Sequence, residues 1–294
     1  MKRTLAVLTA VLVVGLFAGS AFAITDGEPD NGRHPYVGLM LAQDAAGAPL
    51  FRCSGTLMSA TVYLTAGHCT EAPAAHIEIW FEEGPIATDP AYLAAIAAGN
   101  TRAQACAIVR TDGVDTGSGY PCEGDVGGTP YTHPQYDPNE FFLYDLGVVV
   151  LDEPYASSTY GALPQLRQLD ELKTQRGKQD VTFTAVGYGL QQSFPDAASF
   201  KDVAIRQRLV SYPRLIQINN GYVRDFSILL SNNAHTGGTC FGDSGGPNFI
   251  GDSNVVGGVT SFGKNGNCAG TGGVYRVDQP DDLAWLATFG LTPA

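Results

Sequence analysis

The chain has 294 residues, with 29 acidic against 17 basic side chains and a formal net charge of −12. That length buries a sizeable core as one domain or two small subdomains, and so acidic a balance denies nucleic acid the basic footprint its phosphates need. The charge favours solubility first and attraction of cationic substrates second.

Lys2 and Arg3, the apolar run from Leu5 to Ala18 and the small-x-small site Ala21-Phe22-Ala23 read as a secretory signal, which leaves residues 24–294 as the mature domain. The run is short for a bilayer and is broken by Thr9 and Gly15, so it does not read as a membrane anchor. No later stretch suits a span, and stable membrane association is not expected. Short apolar stretches then recur at Tyr36–Leu41, Cys53–Leu57, Thr61–Leu64, His76–Phe81, Leu146–Leu151, Val181–Val186, Ala204–Val210, Phe226–Leu230 and Val255–Ser261. Many are β-branched or aromatic, and 36 glycines and 17 prolines punctuate them, a pattern of all-β antiparallel structure. Asn220-Gly221 and Asn265-Gly266 read as tight turns. Residues 82–144 are the least regular part. They read as a surface insertion loop that Cys106 and Cys122 could staple. A final helix is expected where Pro280, Asp281 and Asp282 suit a first turn and Leu283, Leu286 and Phe289 follow at helical spacing.

All six cysteines lie after the signal, which fits an oxidising compartment, and their number allows fifteen pairings. Zinc is the competing use, but no CxxC pair exists and only Cys69 has a histidine beside it. No metal and no cofactor are expected.

Three segments carry chemistry: Thr65-Ala66-Gly67-His68-Cys69, Asp145-Leu146-Gly147-Val148-Val149-Val150-Leu151, and Gly242-Asp243-Ser244-Gly245-Gly246-Pro247. A serine hydroxyl attacks well only when an imidazole takes its proton, and the imidazole needs a carboxylate to fix its tautomer and stabilise its cation. The order His, Asp, Ser separates this chain from scaffolds that run Asp, His, Ser or Ser, acid, His. His34, His76, His133 and His235 lack such a context and read as turn or surface residues.

In these motifs, and in Ser261-Phe262-Gly263 and Gly273-Val274-Tyr275, the chain resembles the secreted trypsin/chymotrypsin-like serine proteases, in particular their bacterial members. The resemblance implies two six-stranded antiparallel β-barrels with a short C-terminal helix and the active site between them. It implies His68 as base then acid, Asp145 as its orienter, Ser244 as nucleophile, the N–H groups of Gly242 and Ser244 as oxyanion hole, and Ser261 as hydrogen-bond partner of the aspartate. Asp243 is then the partner of a new N-terminus at Ile24, where Ile24-Thr25-Asp26-Gly27 directly follows Ala23. The comparison pairs Cys53 with Cys69 and Cys240 with Cys268, which leaves Cys106 with Cys122. A frequent bridge of the family near Phe226 is missing, which suggests a looser segment between Ser211 and Ser231. For the substrate pocket it implies Gly238 at the base with Thr239 beside it, and Ser261, Gly263 and Gly273 on the walls. Gly238 stands where trypsin-like members carry Asp, and Thr260 where Glu-preferring members carry His, so an apolar or aromatic side chain is the expected guest. The expected function is a secreted, monomeric serine endopeptidase acting on proteins or peptides. The alternatives are a catalytically silent binding or adhesion protein and an esterase using the same three residues.

Overall fold

Strands dominate wherever β-branched and aromatic residues alternate between turn residues. In chain order they are β1 (Glu28–Pro29), β2 (Val37–Gln43), β3 (Pro49–Ser59), β4 (Val62–Thr65), β5 (His76–Trp80), β6 (Val126–Thr132) and β7 (Gly147–Leu151). They continue with β8 (Phe183–Gly187), β9 (Leu209–Ser211), β10 (Leu215–Asn220), β11 (Arg224–Asn232), β12 (Pro247–Ile250), β13 (Val256–Gly263) and β14 (Gly270–Arg276). The computed structural model describes residues 24–111, 118–174, 180–191, 193, 205–220 and 224–293. The signal reading of residues 1–23, and the Gly221 half of the Asn220-Gly221 turn, lie outside them.

The first half closes into a six-stranded antiparallel barrel in the order β2-β3-β4-β7-β6-β5. The second is a curled eight-stranded sheet, β1-β9-β8-β12-β13-β14-β11-β10, followed by the helix α3 (Pro280–Ala287). An all-β fold of two antiparallel halves with a short terminal helix is therefore what the chain adopts. Pro280 opens α3, Leu283 and Leu286 are buried beneath it, and the Tyr275 hydroxyl donates to both oxygens of the buried Asp282. Among the described residues, the segment after Ser211 is mostly paired strand. β10 and β11 form a hairpin, and β11 pairs with β14 from Ser227↔Tyr275 to Asn232↔Gly270, so the sheet ladder supplies the order that a bridge would otherwise give.

Residues 82–144 depart from the expected surface loop. They hold two helices, α1 (Pro90–Ala97) and α2 (Arg102–Thr111), and the barrel strand β6. Asp89 caps α1, its Oδ1 accepting from the N–H groups of Ala91 and Tyr92. The cause is an apolar outer face on the barrel. Met40 faces the core while Leu39 and Leu41, on the other side of β2, pack with Trp80, Ile86 and Tyr120, so the inserted segment covers surface that water would otherwise wet. His133 also departs from a surface reading: it is buried, stacked on Tyr144 with centroids 5.1 Å apart and edge-on to Trp285 at 4.9 Å.

One buried cation joins the two halves. Arg208 donates from Nε to Asp30 at 2.9 Å and from a terminal nitrogen to the carbonyls of Val37 and Phe81 and to the Tyr188 hydroxyl. Burial opposes the charge on Asp30, but hydrogen bonds from His34 and the Arg208 guanidinium outweigh it and lower its pKa to about 2. Arg208→Ala, which leaves that carboxylate buried without its cation, is expected to destabilise the protein by about 3–5 kcal/mol. A denaturation midpoint lowered at unchanged slope is the readout.

Candidate active site

The register of two strands builds the first half of the site. β4 pairs with β7 so that Thr65 lies opposite Gly147, which brings the 3₁₀ turn Gly67–Cys69 against the residue that precedes Leu146. Gly67 suits this approach, since a Cβ there would stand 3.1 Å from the Leu146 nitrogen. Asp145 is fully buried and accepts from the His68 backbone N–H at 2.9 Å, from His68 Nδ1 at 2.9 and 3.1 Å, and from the Ser261 hydroxyl at 2.5 Å. With Nδ1 donating to the carboxylate, the neutral imidazole keeps its proton there and leaves Nε2 as a lone-pair acceptor. Burial disfavours the imidazolium, yet the Asp145 charge and hydrogen bond, with Glu71 further off, prevail and raise the His68 pKa above its ordinary value.

The serine loop is seated by the neighbouring strand. Ser54 on β3 donates its N–H to the Ser244 carbonyl at 2.8 Å and its hydroxyl to the Gly242 carbonyl at 2.9 Å, while its Oγ accepts the Tyr188 N–H at 3.0 Å. Its neighbour Cys53 is bridged to Cys69, the residue after His68. Gly242 has φ +96°, and a Cβ there would meet the Gly189 Cα at 3.1 Å. Only glycine adopts that conformation without strain. Among the described residues, the N–H groups of Gly242 and Ser244 find no acceptor in the protein. Two free amides flanking a half-exposed serine hydroxyl form a set that suits a developing oxyanion.

Asp243, between them, is fully buried and accepts from the N–H groups of Gly189 at 2.7 Å and Cys240 at 2.9 Å. Gly187 and Gly189 wrap its carboxyl so closely that a Cβ on either would overlap it. Among the described residues no cationic side chain is in ion-pair contact with it, and burial pushes its pKa up to about 7 against the pull of those two amides and of the Arg52 charge. Ile24 is also fully buried, packed on Leu209. Its successor Thr25 runs beside the pocket, accepting the Gly238 N–H and donating its hydroxyl to Asn232.

The pocket residues fall in one region, with two adjustments. Gly238 backs onto the buried Asn232, whose Nδ2 donates to the Thr239 carbonyl at 2.7 Å, so the floor is a neutral amide already committed to its neighbours. Gly273 is covered by the Phe262 ring, and Gly272 is the glycine that faces the Thr239 hydroxyl, so the open wall lies one residue earlier than the sequence suggested. Cys240–Cys268 braces this wall, and Cys106–Cys122 ties α2 to the segment that follows it. Cys53, His68 and Cys69 cluster as metal ligands do, but both sulfurs are spent in a disulfide and offer no thiolate. Sequence reasoning missed Ser54, Asn232 and the aromatic rim. Phe241 is exposed just before Gly242, and Phe141 meets Phe262 edge-on at 5.8 Å. A lone serine or asparagine carries no pattern, although three phenylalanines near the two active-site motifs were visible.

A closed barrel facing a curled second sheet with a short terminal helix, with the buried Asp145 bound to His68 and the Ser244 loop seated on β3, defines the chymotrypsin-type class of fold. Residues 127–281 match the family model described as Trypsin, more than half of the chain, and the chain belongs to that family. No curated protein matches it. Among solved structures it is similar to HL collagenase, at 19% identity and TM-score 0.62 over 92% of this chain and 100% of the other. It is likewise similar to human heparin binding protein, at 18% identity and TM-score 0.58 over 92% and 99%. One of these is named for hydrolysis and the other for binding, so the likeness establishes the fold alone.

If His68 must be neutral to act, activity falls as pH drops through its pKa. Because that pKa is raised, the acid limb of kcat/KM is expected to have its midpoint above the ordinary histidine value of about 6.5. A midpoint at or below that value in a pH profile would remove His68 as an aspartate-supported base.

Proposed function

We propose that this chain is a secreted serine endopeptidase that cleaves proteins or peptides through an acyl-enzyme, with His68, Asp145 and Ser244 as its triad. The observation that carries the reading is the buried Asp145 carboxylate, committed at once to the His68 backbone, the His68 ring and Ser261. A buried charge of this kind is costly unless its partners are fixed. Fixing them is what a general base needs. His68 Nε2 takes the Ser244 proton as Oγ attacks the carbonyl and returns it to the leaving amine, and Asp145 stabilises the imidazolium in between. The Gly242 and Ser244 amides hold the negative oxygen, each such donor contributing about 3 kcal/mol in the transition state. Three disulfides and the export-type leader support a destination outside the cell.

The pocket has no charge at Gly238, and Phe241 and Phe262 border it, so an apolar or aromatic side chain is the preferred guest before the scissile bond. A serine-directed organophosphonate is expected to label Ser244 in the wild type and not in Ser244→Ala, with peptides cleaved faster after Phe, Tyr or Leu than after Arg. A folded protein that takes no label would leave the binding-protein reading. Cleavage of esters but not of matched amides would leave the esterase one.

Activation follows from Asp243. In the unprocessed chain the Ile24 nitrogen is an amide and the buried carboxyl lacks a cation. Cleavage after Ala23 supplies an ammonium beside Thr25, on the segment that already lines the pocket. A carboxyl whose pKa is raised to about 7 stabilises the fold in full below its unfolded value, and that contribution is lost as pH rises through about 7. Chain beginning at Ile24 is therefore expected to exceed the uncleaved chain in stability at neutral to alkaline pH, with the difference shrinking in acid. Active enzyme whose N-terminal sequence begins elsewhere would refute this.

A further inference from the structure

We propose that the cleft between β3 and the α1–α2 hairpin is a binding site for the leaving-group half of the substrate, and that it selects an acidic side chain within the first three residues after the scissile bond. The proposal rests on the protease reading above. The cleft has a volume of about 420 Å³ and is bordered by Leu50, Phe51 and Arg52 on β3 and by Tyr92, Leu93 and Arg102 on the helices. It begins at the reaction centre, because Arg52 Nε lies 3.3 Å from where a Cβ on Gly242 would stand. The acyl half of a substrate fills the pocket at Gly238, Ser261 and Gly272, on the β13–β14 side of Ser244. The chain that continues across the serine towards β3 is therefore the amine half. At about 3.3 Å per residue, an extended peptide enters the cleft within its first few residues.

Charge identifies the guest. The half-buried Arg52 guanidinium has no acceptor among the described residues, and Arg102 makes one long contact, 3.4 Å to the Pro49 carbonyl. A third cation stands behind them. Arg206 is spent on the Ile86 carbonyl and the Thr88 hydroxyl and lies 4.2 Å over the Tyr120 ring. In a chain of net charge −12, three guanidinium groups around one cleft make a local reversal of sign. Two of them keep donors free for a carboxylate, the geometry in which arginine binds best. The apolar floor is open, with Leu93 54% exposed. The β3 edge is open as well, since among the described residues β3 pairs with β4 only from Thr56 onward, leaving the Leu50–Cys53 stretch with β2 alone.

The test uses three internally quenched peptides that share one acyl half and carry Glu, Gln or Lys two residues after the scissile bond. Their kcat/KM values are compared as ratios within each variant, so that a general loss of activity cancels. Wild type is expected to favour Glu over Lys by about tenfold or more, and added salt to compress the ratio. The double variant Arg52→Ala, Arg102→Ala is expected to bring the ratio to about one, and Arg52→Glu to invert it. Arg52 makes no hydrogen bond among the described residues and bears on the buried Asp243 only through its charge, so these chains are expected to fold, and circular dichroism checks that. Equal cleavage of all three peptides by wild type overturns the proposal while leaving the protease standing, as does a preference that survives the double variant. Absence of any cleavage by folded protein, with no phosphonate label at Ser244, overturns both.

Discussion

Everything at the site is referred to one dipeptide on β3. Cys53 is tied by sulfur to the residue after His68, and Ser54 holds the serine loop by its N–H and its hydroxyl while accepting the Tyr188 amide. His68 and Ser244 come from different halves of the molecule, so their separation depends on how those halves meet. A shared anchor removes that freedom. Reacting groups displaced by about 1 Å lose on the order of a hundredfold in rate, which is more than any single hydrogen bond here contributes to stability. Arg208 serves the same junction from below, binding Asp30 and carbonyls of the first barrel while sitting just ahead of β9 in the second.

Strands rich in β-branched residues were legible as short apolar runs bounded by turn residues: Val148, Val149 and Val150 in β7, or Ile77 and Ile79 in β5. Among the strands that sequence reasoning passed over, β6 and β14 give up side chains to let neighbours approach. β6 reads Val-Gly-Gly-Thr-Pro-Tyr-Thr, and its Gly128 leaves room for Val149 and the Val150 carbonyl. β14 begins Gly-Thr-Gly-Gly, and its Gly273 lies beneath the Phe262 ring. Locally such segments look like turns. Only the partner strand explains them. The α1–α2 hairpin was hidden for a related reason, since the segment carrying it is anchored by Ile86 and Tyr120 on Leu39 and Leu41, and those partners lie on a strand distant in sequence.

The site shows the same division. His68, Asp145 and Ser244 stood out because their chemistry demands particular residue types in a particular chain order. Ser54, Asn232 and the Gly187–Gly189 pair did not, because their roles arise from what they touch. Burial had likewise to be seen to be known. His133 reads as a surface histidine until Tyr144 and Trp285 are placed around it, and Asp243 reads as one member of a motif until its carboxyl is found enclosed by glycines and backbone amides. That enclosure fixes a buried carboxyl within the same loop that carries Ser244.

The three disulfides are distributed one to each of three regions: Cys53–Cys69 behind the histidine, Cys240–Cys268 in the segment around Ser244, and Cys106–Cys122 at the helical hairpin. Each closes a short stretch of chain, with separations of 16, 16 and 28 residues, and none crosses from one half of the molecule to the other. Sulfur therefore guards the local shape of each region rather than the union of the two halves. A thiol-rich medium would loosen the histidine turn, the Cys240 loop and the helical hairpin as separate losses, while burial and the Arg208 clamp kept the body of the molecule assembled.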